Sequence, residues 1–144
     1  MVEDPSGSYL PDFQIVEHTA DWSIRVRGVD LAHLLVSAAY GMSSLLVDDL
    51  EALPLSVERD LQIEAFDRES VLVEWLGELA YLAEHDGLVF RRFDLHEATP
   101  SAVRATVRGA PSAQLLKHIK AVTYHNLQVK ESEDGLEADI VFDV

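Results

Sequence analysis

Apolar and polar residues alternate with a period of two at both ends of this chain and follow a helical period in two stretches between them. Phe13 to Val16, then Trp22, Ile24 and Val26 set against Ser23, Arg25 and Arg27, read as two half-buried strands or one bent strand, with His18-Thr19-Ala20-Asp21 at the bend. Gly28 closes that run, and Asp30 caps a helix whose apolar residues Leu31, Leu34, Leu35, Ala38, Ala39, Met42, Leu45 and Leu46 fall on one face. After Pro54, Val57, Leu61, Ile63 and Ala65 alternate with polar residues, giving a strand with one exposed face. Asp67 caps a second helix with the face Leu72, Trp75, Leu76, Leu79 and Ala83, and His85-Asp86-Gly87 ends it with a left-handed glycine cap. Leu88 to Leu95 is a strand, and Val103, Ala105 and Val107 mark another that Gly109-Ala110-Pro111-Ser112 is expected to end. Finally, Ile119 to Lys130 and Leu136 to Val144 flank Glu131-Ser132-Glu133-Asp134-Gly135, whose Asp-Gly step signals a hairpin. This order predicts a single α+β domain, a mixed and largely antiparallel sheet packed with two amphipathic helices. Residues 1–12, with two prolines, glycine and serines, read as a flexible lead-in to a domain over residues 13–144.

Composition narrows the function classes. Across 144 residues there is no cysteine, which excludes disulfides, Cys-ligated zinc, iron–sulfur clusters and thiol nucleophiles and suits a reducing cytoplasm. No apolar run approaches the roughly 20 residues that span a bilayer, and the acidic N-terminus lacks a signal-peptide pattern, so no membrane association and a cytoplasmic location are expected. With 26 acidic against 11 basic residues the formal charge is −15. Such a field repels phosphate backbones, so direct nucleic-acid binding is not expected, whereas cations and basic protein surfaces are attracted. The same charge also serves solubility.

The common catalytic signatures are missing: there is no phosphate-cradling glycine loop, no Gly-x-Ser-x-Gly elbow and no His-Glu-x-x-His pair. Two acids draw notice instead. Asp21 interrupts one strand-like run, and Asp143 ends another in Ile140-Val141-Phe142-Asp143-Val144. A carboxylate beside an apolar run is costly to bury unless a cation or good hydrogen bonds offset it. If the first and last strands are neighbours, Asp21, Asp143 and the terminal carboxylate of Val144 bring hard oxygen donors together, as a calcium- or magnesium-like ion requires. Spacing by itself favours the plainer reading, an Asx-type turn at Asp21 and a solvated end at Asp143. Lys120 should pair near Asp143 across the last hairpin, where its ammonium would offset carboxylate repulsion; the alternative is a weak surface ion pair. His18 is the histidine nearest the Asp21 bend in sequence, while His33 and His85 are expected to face solvent or cap helices.

His18-Thr19-Ala20-Asp21, Ile119-Lys120-Ala121-Val122-Thr123-Tyr124-His125 and Val141-Phe142-Asp143-Val144 occur in this order over roughly residues 13–144, and together they resemble the archease family. The helix after Gly28-Val29-Asp30-Leu31 and the Val73-Glu74-Trp75-Leu76 helix also fit it. Trp22-Ser23 stands where that family often has a small glycine, and residues 1–12 carry no family motif. The resemblance implies an accessory protein rather than an enzyme: a metal-binding activator of the GTP-dependent RNA ligase of tRNA splicing, promoting guanylylation and multiple turnover. It implies metal ligation by Asp21, Asp143 and Val144, with Lys120 and His18 as functional neighbours, and calcium as the first choice of divalent cation ahead of magnesium or manganese. Two alternatives from other classes stay open: a chaperone or specificity modulator of a tRNA cytosine methyltransferase, and a metal-dependent hydrolase using the same acids.

Overall fold

The computed structural model describes residues 10–17 and 22–144. His18 and Asp21, and all but the last three residues of the expected lead-in, lie outside them. Strands β1 (Asp12–Glu17), β2 (Trp22–Gly28), β3 (Val57–Glu64), β4 (Leu88–Ala98), β5 (Ala102–Pro111), β6 (Ala121–Val122), β7 (Lys130–Ser132) and β8 (Gly135–Asp143) are joined with two helices, α1 (Leu31–Ser44) and α2 (Arg68–Asp86). The α+β class and the two helices are as the pattern predicts. The strands fall into two sheets, a five-stranded one in the order β1-β2-β8-β6 with β7 also on β8, and a three-stranded one in the order β3-β5-β4. Every pairing is antiparallel.

Local chemistry sets the helix limits. Asp30 accepts from the His33 N–H at 2.9 Å to start α1. Asp67 and Ser70 form a reciprocal capping box at α2, Asp67 Oδ1 accepting from Ser70 N at 2.8 Å and Ser70 Oγ accepting from Asp67 N at 3.0 Å. Gly87, at φ 67°, ends α2 in the left-handed region and donates to the Ala83 carbonyl at 3.0 Å. The apolar faces of α1 and α2 meet the inner faces of both sheets in one continuous core, with α1 against β1, β2, β4 and α2. Trp75 is fully buried there, its indole N–H donating to the Leu35 carbonyl at 2.9 Å and joining α2 to α1. No helix among the described residues is long and apolar enough to cross a membrane.

Three local expectations change. Gly109 does not end β5: it pairs with Val57 on one side and Phe90 on the other, and the strand runs on to Pro111. A Cβ at Gly109 would lie 1.9 Å from the Val89 carbonyl oxygen, so this glycine marks a close backbone approach inside the sheet. The segment 119–130 is not one strand. Lys130 faces Glu137 while Val122 faces Phe142, so the stretch between holds three more residues than the strand it faces and leaves the sheet. His33, expected to face solvent or cap, is 2% exposed. Its Nδ1 accepts from Val29 N–H at 3.0 Å, which leaves the proton on Nε2, 2.8 Å from the Leu10 carbonyl. With Asp12 N–H donating to Ser37 Oγ at 2.9 Å, this ties the start of β1 to α1.

Two outcomes follow for stability. Gly109→Ala should destabilise by about 2 kcal/mol or more, because backbone must move, whereas Gly77→Ala, with open space in mid-helix, should stabilise by up to ~1 kcal/mol; urea denaturation midpoints of the two variants should move in opposite directions. Hydrogen bonds from Ser70 hold the Asp67 carboxyl below its ordinary value. A depressed folded-state pKa adds stability above the unfolded value of about 3.9 that is lost as pH falls through the folded one. Asp67→Asn keeps an acceptor without that titration, so its thermal midpoint should fall less than the parent's below about pH 4.

Candidate metal centre at the end of the five-stranded sheet

Strict alternation along β8 sets the site. Leu136, Ala138, Ile140 and Phe142 are buried, so Glu137, Asp139, Val141 and Asp143 share the outward face. On β2, Ser23, Arg25 and Arg27 occupy the matching face, opposite Val141, Asp139 and Glu137 in turn. Charge is compensated at the near end. Arg25 Nε lies 2.8 Å from Asp139 and 3.5 Å from Glu137, and Arg27 Nε lies 3.7 Å from Glu137. The hydrogen bond and charge of Asp139 hold the Arg25 guanidinium more firmly protonated than usual. One step on, uncharged Ser23 faces uncharged Val141, and Ser23 Oγ donates to the Val16 carbonyl at 3.0 Å.

Asp143 lies beyond that neutral step. It is exposed, as is Val144 at 37%, and β6 flanks it by pairing Ala121 with Asp143 and Val122 with Phe142. Lys120 N–H donates to the Asp143 carbonyl at 2.7 Å, and Thr123 gives both its N–H and its hydroxyl to the Val141 carbonyl at 3.0 Å. The connection into β6 is anchored by Ile119, which is buried, and by Leu116 N–H on the Leu46 carbonyl at 2.9 Å. Lys117 sends its ammonium over the Trp22 ring, 3.7 Å from the centroid.

Of the residues singled out in the sequence, the fold therefore gathers Asp143, Val144 and Lys120 at one end of the sheet, while Asp21 and His18 lie outside the described residues. Lys120 is joined to Asp143 through its backbone, and none of the ion pairs among the described residues is formed by its ammonium. Among the described residues no group of three or more histidine and carboxylate side chains is positioned to hold a metal. The donors present are of the hard oxygen type, with no histidine or sulfur among them, which is the chemistry that calcium or magnesium takes. Three neighbours were not evident beforehand. Ser23 shares the outward face with Asp143 by the two-residue period, a signal the sequence carries; the Lys117–Trp22 contact and the Thr123–Val141 bonds depend on the looped course of residues 116–123 and have no such signal.

The family model described as Archease protein family (MTH1598/TM1083) matches residues 13–144. The protein archease of Methanosarcina mazei is 30% identical over 140 residues, covering 92% of this chain and 95% of the relative. That of Methanopyrus kandleri is 36% identical over 127 residues, covering 83% and 89%. In fold, the chain resembles the solution structure of Methanobacterium thermoautotrophicum protein 1598, with a TM-score of 0.72 at 24% identity over 92% of this chain and 98% of that one. It also resembles the crystal structure of a Thermotoga maritima archease, described as a possible chaperone, with a TM-score of 0.66 at 23% identity over 90% and 94%. With a family match that takes in nearly the whole chain and relatives of this identity along most of their length, the chain belongs to the archease family.

Proposed function

We propose that this chain is an accessory protein that activates a GTP-dependent RNA ligase of tRNA splicing, promoting guanylylation of the ligase and its repeated turnover without being the catalyst itself. Membership of the archease family supports the general role. The observation that carries the metal-dependent part is the register of β2 and β8. Trp22 faces Phe142, and the residues that follow at that end of the two strands are Asp21 and Asp143. Were the ladder to run one pair further, two carboxylates would stand opposite one another, a pairing that is destabilising unless a cation neutralises it.

Asp21, Asp143 and the main-chain oxygen of Val144 would hold that ion, calcium first and magnesium or manganese otherwise. A divalent cation supplies neutralisation of phosphate charge. The β6 pairing and the Lys120 backbone bond hold Asp143 in place, and Lys120 and His18 are the neighbours that the family resemblance implies. An acidic end of this kind suits insertion into the basic, phosphate-binding cleft of a ligase, where association is steered by the field of the whole chain.

Asp143→Asn tests the reading directly. Its circular dichroism and thermal midpoint should match or slightly exceed those of the parent, because a repelling charge is removed, while stimulation of ligase guanylylation falls by about tenfold or more. Unchanged stimulation removes Asp143 from the mechanism; substrate turnover by the isolated chain would replace the activator with a hydrolase, and co-purification with a tRNA cytosine methyltransferase in place of the ligase would redirect the partner. A second expectation concerns the ion. Calcium at about 100 times its Kd should stabilise the chain by about 2.7 kcal/mol, seen as a raised melting temperature that a chelator reverses and that Asp143→Asn does not show.

A further inference from the structure

We propose that the outward stripe of α2, running from Asp67 through Glu74, Glu78 and Tyr81 to His85 with Tyr124 beside it, is a docking surface for an arginine-rich segment of a partner protein. Its Tyr124 edge follows β6, which pairs with Asp143, while the α2 residues lie on another element; the proposal rests on neither the ion nor the ligase. The N-cap Asp67 and residues 74 and 81 are seven apart, and residues 78 and 85 lie four on from 74 and 81, so they form one stripe of a helix with 3.6 residues per turn. The opposite face of α2 is packed: ten of its residues are buried. Glu74, Tyr81 and His85 are exposed, and Tyr81 and Tyr124 each keep 55% of their surface.

The aromatic rings are held in position. Tyr81 lies parallel to His85, centroids 5.0 Å apart at 15°. Tyr124 feels burial first and then the negative charges of Glu74 and Asp67, which together raise its phenol above the ordinary value and place its hydroxyl in the field of both carboxylates. Phe66, 96% exposed, adds a third ring next to Asp67 at the start of the helix. Glu74 and Glu78 form no ion pair with any described residue.

Charge selects the occupant. A second copy of this chain brings another −15, and a nucleic acid or anionic lipid brings phosphates, so each is repelled by the same field. A cationic protein segment is attracted. Carboxylates beside exposed tyrosine side chains suit arginine above lysine, since a guanidinium pairs with a carboxylate in a fork and stacks flat on an aromatic face, whereas an ammonium is a compact, strongly hydrated charge.

The test uses the full chain, without ligase or divalent ion, titrated with hexa-arginine and hexa-lysine peptides in about 0.15 M salt, read by calorimetry and by amide chemical shifts. Failure here therefore leaves the activator reading standing, and loss of ligase stimulation in Asp143→Asn leaves this one standing. Shifts should centre on residues 67–85 and 124, and hexa-arginine should bind at least about twofold tighter than hexa-lysine. Tyr81→Ala and Tyr124→Ala should each weaken hexa-arginine by about threefold to fivefold, with Tyr81→Phe retaining affinity; Glu74→Gln should weaken both peptides, and Glu133→Gln, in the exposed hairpin, neither. Shifts spread evenly over the acidic hairpin, equal affinity for the two peptides, or an unaltered affinity in Tyr81→Ala would overturn the proposal.

Discussion

The antiparallel pairing of β2 with β8 is the constraint on which the rest of the larger sheet depends. It joins residues 22–28 to residues 136–142 and puts Ile24, Val26, Ala138, Ile140 and Phe142 on one buried face. Among the described residues β1 pairs only with β2, and β6 and β7 only with β8, so each of them takes its place through this central pair. Because side chains alternate with period two, a slip of one residue would send the apolar set to solvent and Arg25, Asp139 and Glu137 into the core. The register is thus set by burial, and the position of Asp143 at the sheet end follows from it.

Charge is distributed unevenly for a related reason. Six of the eight arginines, at positions 25, 27, 68, 91, 104 and 108, are paired with carboxylates within the fold. Lys117 lies over Trp22. Most of the positive charge is therefore spent in internal ladders across the sheet faces, and the acids left over dominate what a partner meets. Exposed pairs of this kind contribute little to stability individually; their larger effect is to decide where the negative field is strong. Carboxylate charge is paired along the Arg25–Asp139 steps, whereas Glu74 and Glu78 on α2 form no ion pair with any described residue.

Much of this fold was legible because local signals and burial agree. Asp30 and Asp67 cap helices that have clear apolar stripes, Gly87 ends the second, and Asp134-Gly135 turns the hairpin that brings β8 back beside β7. Legibility failed where one residue type serves two physical purposes. Gly109 reads as a breaker, yet it relieves contact with the Val89 carbonyl inside a strand. His33 reads as a surface residue near a helix start, yet two backbone partners satisfy it in the interior. The division into two sheets and the looped course of residues 123–129 depend on long-range packing that no periodicity encodes. In the candidate site, the hairpin showed that this segment returns beside Asp143, but the three extra residues of 123–129 bring Lys120 to it; on α2 and near it, the exposure of Phe66, Tyr81 and Tyr124 could not be told from that of any core aromatic.

The central pair also dictates an order of events. Ile24 finds its partner in Ile140, more than a hundred residues later, with both helices and the whole second sheet made in between. Non-local pairing of this kind slows folding, since a long loop must close before its contacts repay the lost entropy. Until residues 136–142 are available, β1 and β2 lack β8 and have only each other and α1 to pack against, and a two-stranded hairpin is at best marginally stable in water. The second sheet and α2, which lie closer together along the chain, can assemble first and hold α1 ready. The acidic sheet end then comes into being in the same closing step that completes the core, so a chain that presents it has, by doing so, finished folding.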